Sequence, residues 1–203
     1  RHAQFYNCKK TELNQLTENT RSTDVNLSRP TRNVNLIHSI HTAEKQSASQ
    51  VAINTLNEAN HLDYSKVAIR QSNFMTNILP QAANMNRGAR LLTEEITECY
   101  RDIDELLVIG GVLWGNNPND DFFTESHGVK TPDLFWKVII RNDRNIAWII
   151  SNSADAKRDR LDEYIVTIQE LELVTGESIP VEEYLKHEKP EYSWMIPRGC
   201  NKG

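Results

Sequence analysis

No stretch of this chain stays apolar for long. The longest, Leu106 to Trp114, is interrupted by Gly110 and Gly111. It is well short of the roughly 20 residues a membrane helix requires, so no span is expected. Cysteine is scarce: Cys8, Cys99 and Cys200 are an odd number and lack the close spacing of a metal knuckle. Three reduced thiols are the expectation, rather than a disulfide framework. Positive charge is not in excess, since 23 Lys and Arg face 28 Asp and Glu for a net charge of −5. That counts against an indiscriminate grip on nucleic acid, though it leaves room for a local basic groove. There is no signal peptide at the start, and the first residue is Arg1 rather than Met, as in a processed chain or a fragment. No glycine-rich phosphate loop, internal repeat or low-complexity tract is present.

What remains is ordinary globular composition. The chain has 203 residues, enough for one domain with a real core, and its 25% charged content argues against long disorder. Hydrophobic residues are 38%, a little low, which predicts a polar, loop-rich surface. Residues 1–24 are polar without a sustained period and read as an irregular arm. Residues 25–203 read as a single domain with an extended tail.

Within that domain, Val25 to Ile40 is strand-like around a turn at Arg29–Asn33. A polar loop at 44–50 precedes a short strand at Val51–Asn54. An apolar cluster, Arg70 to Leu79, is closed by Pro80. A helix opens near Asn86, with Leu91, Leu92, Ile96, Tyr100, Ile103 and Leu107 on one face. Leu106 to Trp114 reads as a buried strand, followed by a loop at 116–120. Leu134–Arg141 and Ile146–Ser151 form a hairpin through Asn142-Asp143-Arg144. Ser153 or Asp155 could cap a short helix ending at Leu161. A second runs from Thr167 to Thr175, with Thr167-Ile168-Gln169-Glu170 as a capping box and Gly176 as its stop. This mixture, without βαβ alternation, predicts an α+β fold.

Residues 73–94 read NFMTNILPQAANMNRGARLLTE. The segment resembles the DNA/RNA non-specific endonuclease family, the ββα-metal nucleases that include endonuclease G. The matching residues are Thr76, Asn77, Pro80 and Gln81, then Asn86 opening a helix, then Glu94 two turns on. Further segments match in order: Ser28–Ile37, Leu107–Trp114, Pro132–Ile140 and Tyr164–Pro180. Several ordered matches carry more weight than one motif. The resemblance implies a ββα-metal fold with a mostly antiparallel sheet flanked by helices.

Phosphodiester cleavage in such a family needs a cation to stabilise developing charge and a base to activate water. The resemblance gives Asn86 the role of ligand to one hydrated Mg²⁺ and has Glu94 steady a metal-bound water. The base should be the His of an Asp-Arg-Gly-His tetrad whose Arg holds phosphate. Here Ala52, Ile53, Asn54 and Thr55 stand in its place. Thr55 is no general base at neutral pH, and Ile53 cannot bind phosphate. The connection from Glu44 to Ala52 is also short for the family.

A further departure is Arg90, where the family usually carries Trp. Residues four apart on a helix are neighbours, so Arg90 can lean toward both Asn86 and Glu94 and put a fixed positive charge where a divalent ion would sit.

Simpler readings stand beside these. Asn86 could be only a helix N-cap, and Glu94 an exposed carboxylate. His61, the histidine nearest the lost base, lies past its position, and His38 and His41 belong to another segment. Arg87, Arg90, Asn77 and Gln81 are candidate substrate contacts. Arg70, Arg87 and Arg101 could line a phosphate groove or simply face water. Trp114, Trp136 and Trp148 read as core residues on strands rather than base-stacking platforms. The sequon at Asn26 is discounted in its strand-like context.

Three functions are compatible with this pattern. The first is a catalytically inactive nuclease homologue serving as a structural or binding subunit, in a homodimer or a larger assembly such as a mitochondrial complex. The second is a Mg-dependent nuclease with a non-standard base. The third is a module that binds nucleic acid without cutting it. No cofactor is expected, save Mg²⁺ if the metal site survives. The resemblance implies a mitochondrial setting, with secretion as the alternative.

Overall fold

The computed structural model describes residues 4–8, 51–55, 66, 67, 70, 78–116, 121 and 128–200, with only the backbone described for 4–8 and 51–55. All belong to one compact unit, residues 1–10 together with 43–203. The strand-like stretch at 25–40, the loop at 44–50, His38, His41, His61, Thr76, Asn77, the sequon and the boundary at residue 24 lie outside the described residues.

A five-stranded sheet is ordered β1-β4-β5-β6-β7 and is antiparallel throughout. Its strands are β1 (Gln4–Cys8), β4 (Leu106–Leu113), β5 (Leu134–Arg141), β6 (Arg144–Ser151) and β7 (Ile165–Val166). A separate two-stranded ladder joins β2 (Val51–Thr55) to β3 (Ile78–Ala82). Two sequence expectations need correction. Gln4–Cys8 is a strand paired with β4, not part of an irregular arm; its polar composition hides this because its partner lies about 100 residues away. Pro80 lies inside β3 opposite Ile53 rather than closing the cluster. A two-stranded ladder has an outer side on which a missing N–H costs little.

Strand alternation divides the core in two. Val108, Phe135, Ile139, Ile146 and Trp148 face one side, where Met85, Ala89, Ile96, Leu161 and Trp194 pack on them. Ile109, Trp136, Val138 and Ile149 face the other, beneath Ile168 and Leu171 of α2 (Ile168–Thr175). Because both faces are covered, the central strands read as almost unbroken apolar runs. The architecture is α+β, as expected.

α2 begins and ends where local chemistry directs. Glu170 N–H donates to Thr167 Oγ1 at 3.0 Å, and Thr167 N–H donates to Glu170 Oε2 at 2.9 Å. Gly176 takes φ 70°, a left-handed conformation that glycine adopts without steric cost. The short helix before it differs from expectation. Residues Arg158–Tyr164 form a 3₁₀ turn with Lys157 at its start and no side-chain cap, so neither Ser153 nor Asp155 caps it. Ser153 is instead buried and shares a 3.0 Å hydrogen bond with Ser151.

The three-thiol expectation is also overturned. Cys99 and Cys200 form a disulfide across 101 residues, with Cα atoms 5.4 Å apart. Sequence spacing gave no signal, since the two cysteines meet only once the tail crosses α1 (Leu91–Arg101). That tail also buries Trp194, whose ring centroid lies 5.0 Å from that of Tyr100. Trp148 Nε1 donates to Ser193 Oγ at 3.1 Å, and Ser193 N–H donates to Asp162 Oδ1 at 2.8 Å.

Candidate metal centre

Two antiparallel strands lead directly into a helix: β2, β3, then a helical path from Ala83 to Arg101. One α turn (Ala83–Met85) passes into a π-helical stretch (Asn86–Arg90) and then into α1. The helix therefore opens at Ala83, and Asn86 is an interior residue with αR backbone, not an N-cap. The apolar stripe runs only from Leu92 to Tyr100, since Leu91 and Ile103 are exposed and Leu107 belongs to β4.

The π-helical stretch is imposed by its neighbours. Gly88 departs from helical geometry, at φ −109° and ψ −105°. A Cβ there would lie 2.9 Å from both Ala156 O and Arg158 N, both backbone atoms that cannot swing aside. Ala89 N–H donates out of the helix to Ala156 O at 3.1 Å. Asn152 fixes the strand before it. Its Oδ1 accepts from Ala82 N–H at 2.6 Å, and its Nδ2 donates to Pro80 O at 3.2 Å and Pro132 O at 2.7 Å. Asn84 Nδ2 donates to Ala154 O at 3.1 Å. Arg158 grips Glu95 with two 2.7 Å hydrogen bonds, which raise its guanidinium pKa above the ordinary value. The segment after β6 thus holds the opening of the helix in place. No local sequence pattern marks Asn152, because its partners lie 20 to 72 residues away.

On this platform Asn86, Arg90 and Glu94 meet. Arg90 Nη1 donates to Asn86 Oδ1 at 3.1 Å and lies 2.8 Å from Glu94 Oε1. The Arg90 side chain is 6% exposed and that of Glu94 is 19% exposed. Glu94 is therefore not an open surface carboxylate. Burying a guanidinium is costly unless an anion compensates it, and Glu94 supplies that anion.

The remaining sequence candidates separate. Gln81 is 0% exposed, so it cannot meet a polymer from solvent there. Arg87 is exposed on the π-helical stretch. Arg101 pairs with Glu98 at 2.6 Å rather than lining an open groove. Thr55 and Ile53 stand opposite Ile78 and Pro80 on the β2–β3 ladder. Trp136 and Trp148 are core residues, whereas Trp114 lies just past β4 and is partly exposed.

This arrangement does not suit a divalent ion. The oxygen expected to bind the metal accepts a hydrogen bond from a buried cation, and the carboxylate expected to steady its water is engaged by the same nitrogen. At about 4 Å and an effective dielectric of about 20, two unit charges repel by roughly 4 kcal/mol, and a doubly charged ion doubles that. Among the described residues, no three or more His, Cys, Asp or Glu side chains group to offer another site.

A strand pair running into a helix that carries Asn86 and Glu94 defines a ββα nuclease scaffold. The profile of the DNA/RNA non-specific endonuclease family matches residues 40–186, well over half the chain, and the chain belongs to that family. Among curated proteins, none matches significantly. No helix among the described residues is long and apolar enough to cross a membrane.

Proposed function

We propose that this protein is a catalytically inactive member of its nuclease family, retained as a structural or binding subunit. One observation carries the reading: the buried Arg90 guanidinium lies within hydrogen-bonding distance of both Asn86 and Glu94. A cation fixed at that point competes with the ion that phosphodiester cleavage in this family requires. The replacement of the tetrad by Ala52, Ile53, Asn54 and Thr55 removes the base and the phosphate-binding arginine as well. A fold can outlast its chemistry, so family membership alone does not restore activity.

The setting we propose is a larger protein assembly or a homodimer. The net charge of −5 disfavours nucleic acid as the main partner. Of the two compartments the family likeness suggests, mitochondrial and secretory, the Cys99–Cys200 disulfide supports whichever oxidises thiols, and so favours secretion over a reducing matrix.

The test is digestion of plasmid DNA and RNA by the full chain in Mg²⁺ or Mn²⁺. No cleavage above buffer is expected. Cleavage that disappears with Asn86→Ala would overturn the reading in favour of an active enzyme with another base.

A further inference from the structure

A cavity lies at the other end of the helical path from Asn86, roughly 20 Å away at a helical rise of about 1.5 Å per residue. Tyr100 of α1, Arg144 and Asn145 of β6, and Glu188, Ser193 and Trp194 of the tail line a space of about 360 Å³. That volume is near the lower bound for pockets that take small molecules. Its walls are already fixed. Tyr100 OH donates to Met195 O at 3.1 Å, Asn145 Nδ2 donates to Leu185 O at 3.1 Å, and Trp148 Nε1 donates to Ser193 Oγ at 3.1 Å. Arg144 Cζ lies 5.4 Å from the centroid of the Trp194 ring, a cation–π contact that leaves the guanidinium N–H donors unspent. Arg144 and Glu188 are both exposed and both line the cavity, yet among the described residues neither takes part in an ion pair. Water alone would satisfy two exposed charges, but it does not account for Trp194. That residue is 7% exposed, and its indole N–H has no hydrogen-bond partner among the described residues, whereas a buried indole N–H ordinarily finds one.

We propose that this cavity binds a free α-amino acid with an apolar side chain. A positive and a negative group that share one small space without meeting suit a molecule that carries both signs. Arg144 takes the carboxylate, for which its planar fork of donors is matched. The Trp194 N–H is a further donor to that carboxylate. Ser193 is another, because its oxygen already accepts from Trp148 and its own proton is left to give. Glu188 takes the ammonium group. Pro190, Tyr192 and Met195, which also line the cavity, offer apolar surface to the side chain. The site goes beyond the inactive reading and does not depend on it, since none of these residues belongs to the opening of the helix.

The experiment titrates the full chain, disulfide intact, with L-phenylalanine at neutral pH. Heat is followed by calorimetry, and the Trp194 indole N–H by NMR after assignment with Trp194→Phe. Saturable binding with a Kd on the order of 0.1–1 mM is expected, with a shift of the Trp194 signal. N-acetylphenylalanine lacks the ammonium group and phenylalaninamide lacks the carboxylate. Each should bind roughly tenfold to a hundredfold more weakly. Arg144→Gln and Glu188→Gln change exposed residues, so both proteins should fold. Each should weaken L-phenylalanine by a similar factor. Arg144→Gln should not weaken phenylalaninamide further, and Glu188→Gln should not weaken N-acetylphenylalanine further.

No saturation by about 10 mM L-phenylalanine, tenfold above the expected range, overturns the proposal. Equal binding of the N-acetyl or the amide form overturns it too, because one of the two charges is then not read. Binding that both Gln variants leave unchanged places the amino acid elsewhere on the chain and is equally fatal. None of these outcomes alters the nuclease assay, so the inactive reading stands or falls separately.

Discussion

Helix α2 and the helical path leading into α1 reach their shapes by different routes. α2 is directed by its own ends: the Thr167–Glu170 capping box starts it and Gly176 stops it, all within ten residues. The path from Ala83 to Arg90 has no side-chain cap at its start, and its π-helical form answers to Ala156, Arg158 and Asn152 far along the chain. The difference teaches that α2 is coded locally, whereas the helical path carrying the candidate site is shaped by contacts made only in the finished fold. A site built that way can lose its reaction while its framework persists, since the residues that hold it are not those that would do chemistry.

The comparison can be sharpened by mutation, starting with the largest effect. Replacing Cys99 and Cys200 together by Ser removes the tie at the far end of α1. In the chain-entropy account, a loop of about 100 residues corresponds to roughly 4–5 kcal/mol, which chemical denaturation should register as a lower midpoint. Asn152→Ala strips partners from Ala82 N–H, Pro80 O and Pro132 O at once. About 3 kcal/mol of stability should go, and amide exchange should quicken first at Ala82 rather than in α2. Gly88→Ala drives a methyl against rigid backbone and should cost about 1–3 kcal/mol by thermal melting. Thr167→Ala, which removes one cap, should cost only about 1 kcal/mol, with faster exchange confined to the first turn of α2. Should the Thr167 change prove more damaging than the Asn152 change, the contrast between the two helices fails.

The same contrast explains what could be read from the sequence. The β5–β6 hairpin, the capping box and the glycine stop were legible because each signal lies within a few residues of its effect. The approach of Arg90 to Asn86 and Glu94 was legible because four-residue spacing on a helix is itself a geometric statement. β1 was not, since a polar segment becomes a strand only beside Leu106–Gly110. The disulfide, the Asn152 hydrogen bonds and the burial of Gln81 were hidden for the same reason: each depends on chain segments brought together over long sequence distances. Gly88 was visible as a residue, but the backbone that crowds it was not.

The Cys99–Cys200 bridge has a practical corollary. It closes a ring that takes in β4, β5, β6, β7 and α2. A protease that nicks any loop inside that ring leaves a single covalent body, and its two fragments part on a gel only after a thiol is added. Intact mobility under non-reducing conditions is therefore no guarantee of an uncut backbone in this protein.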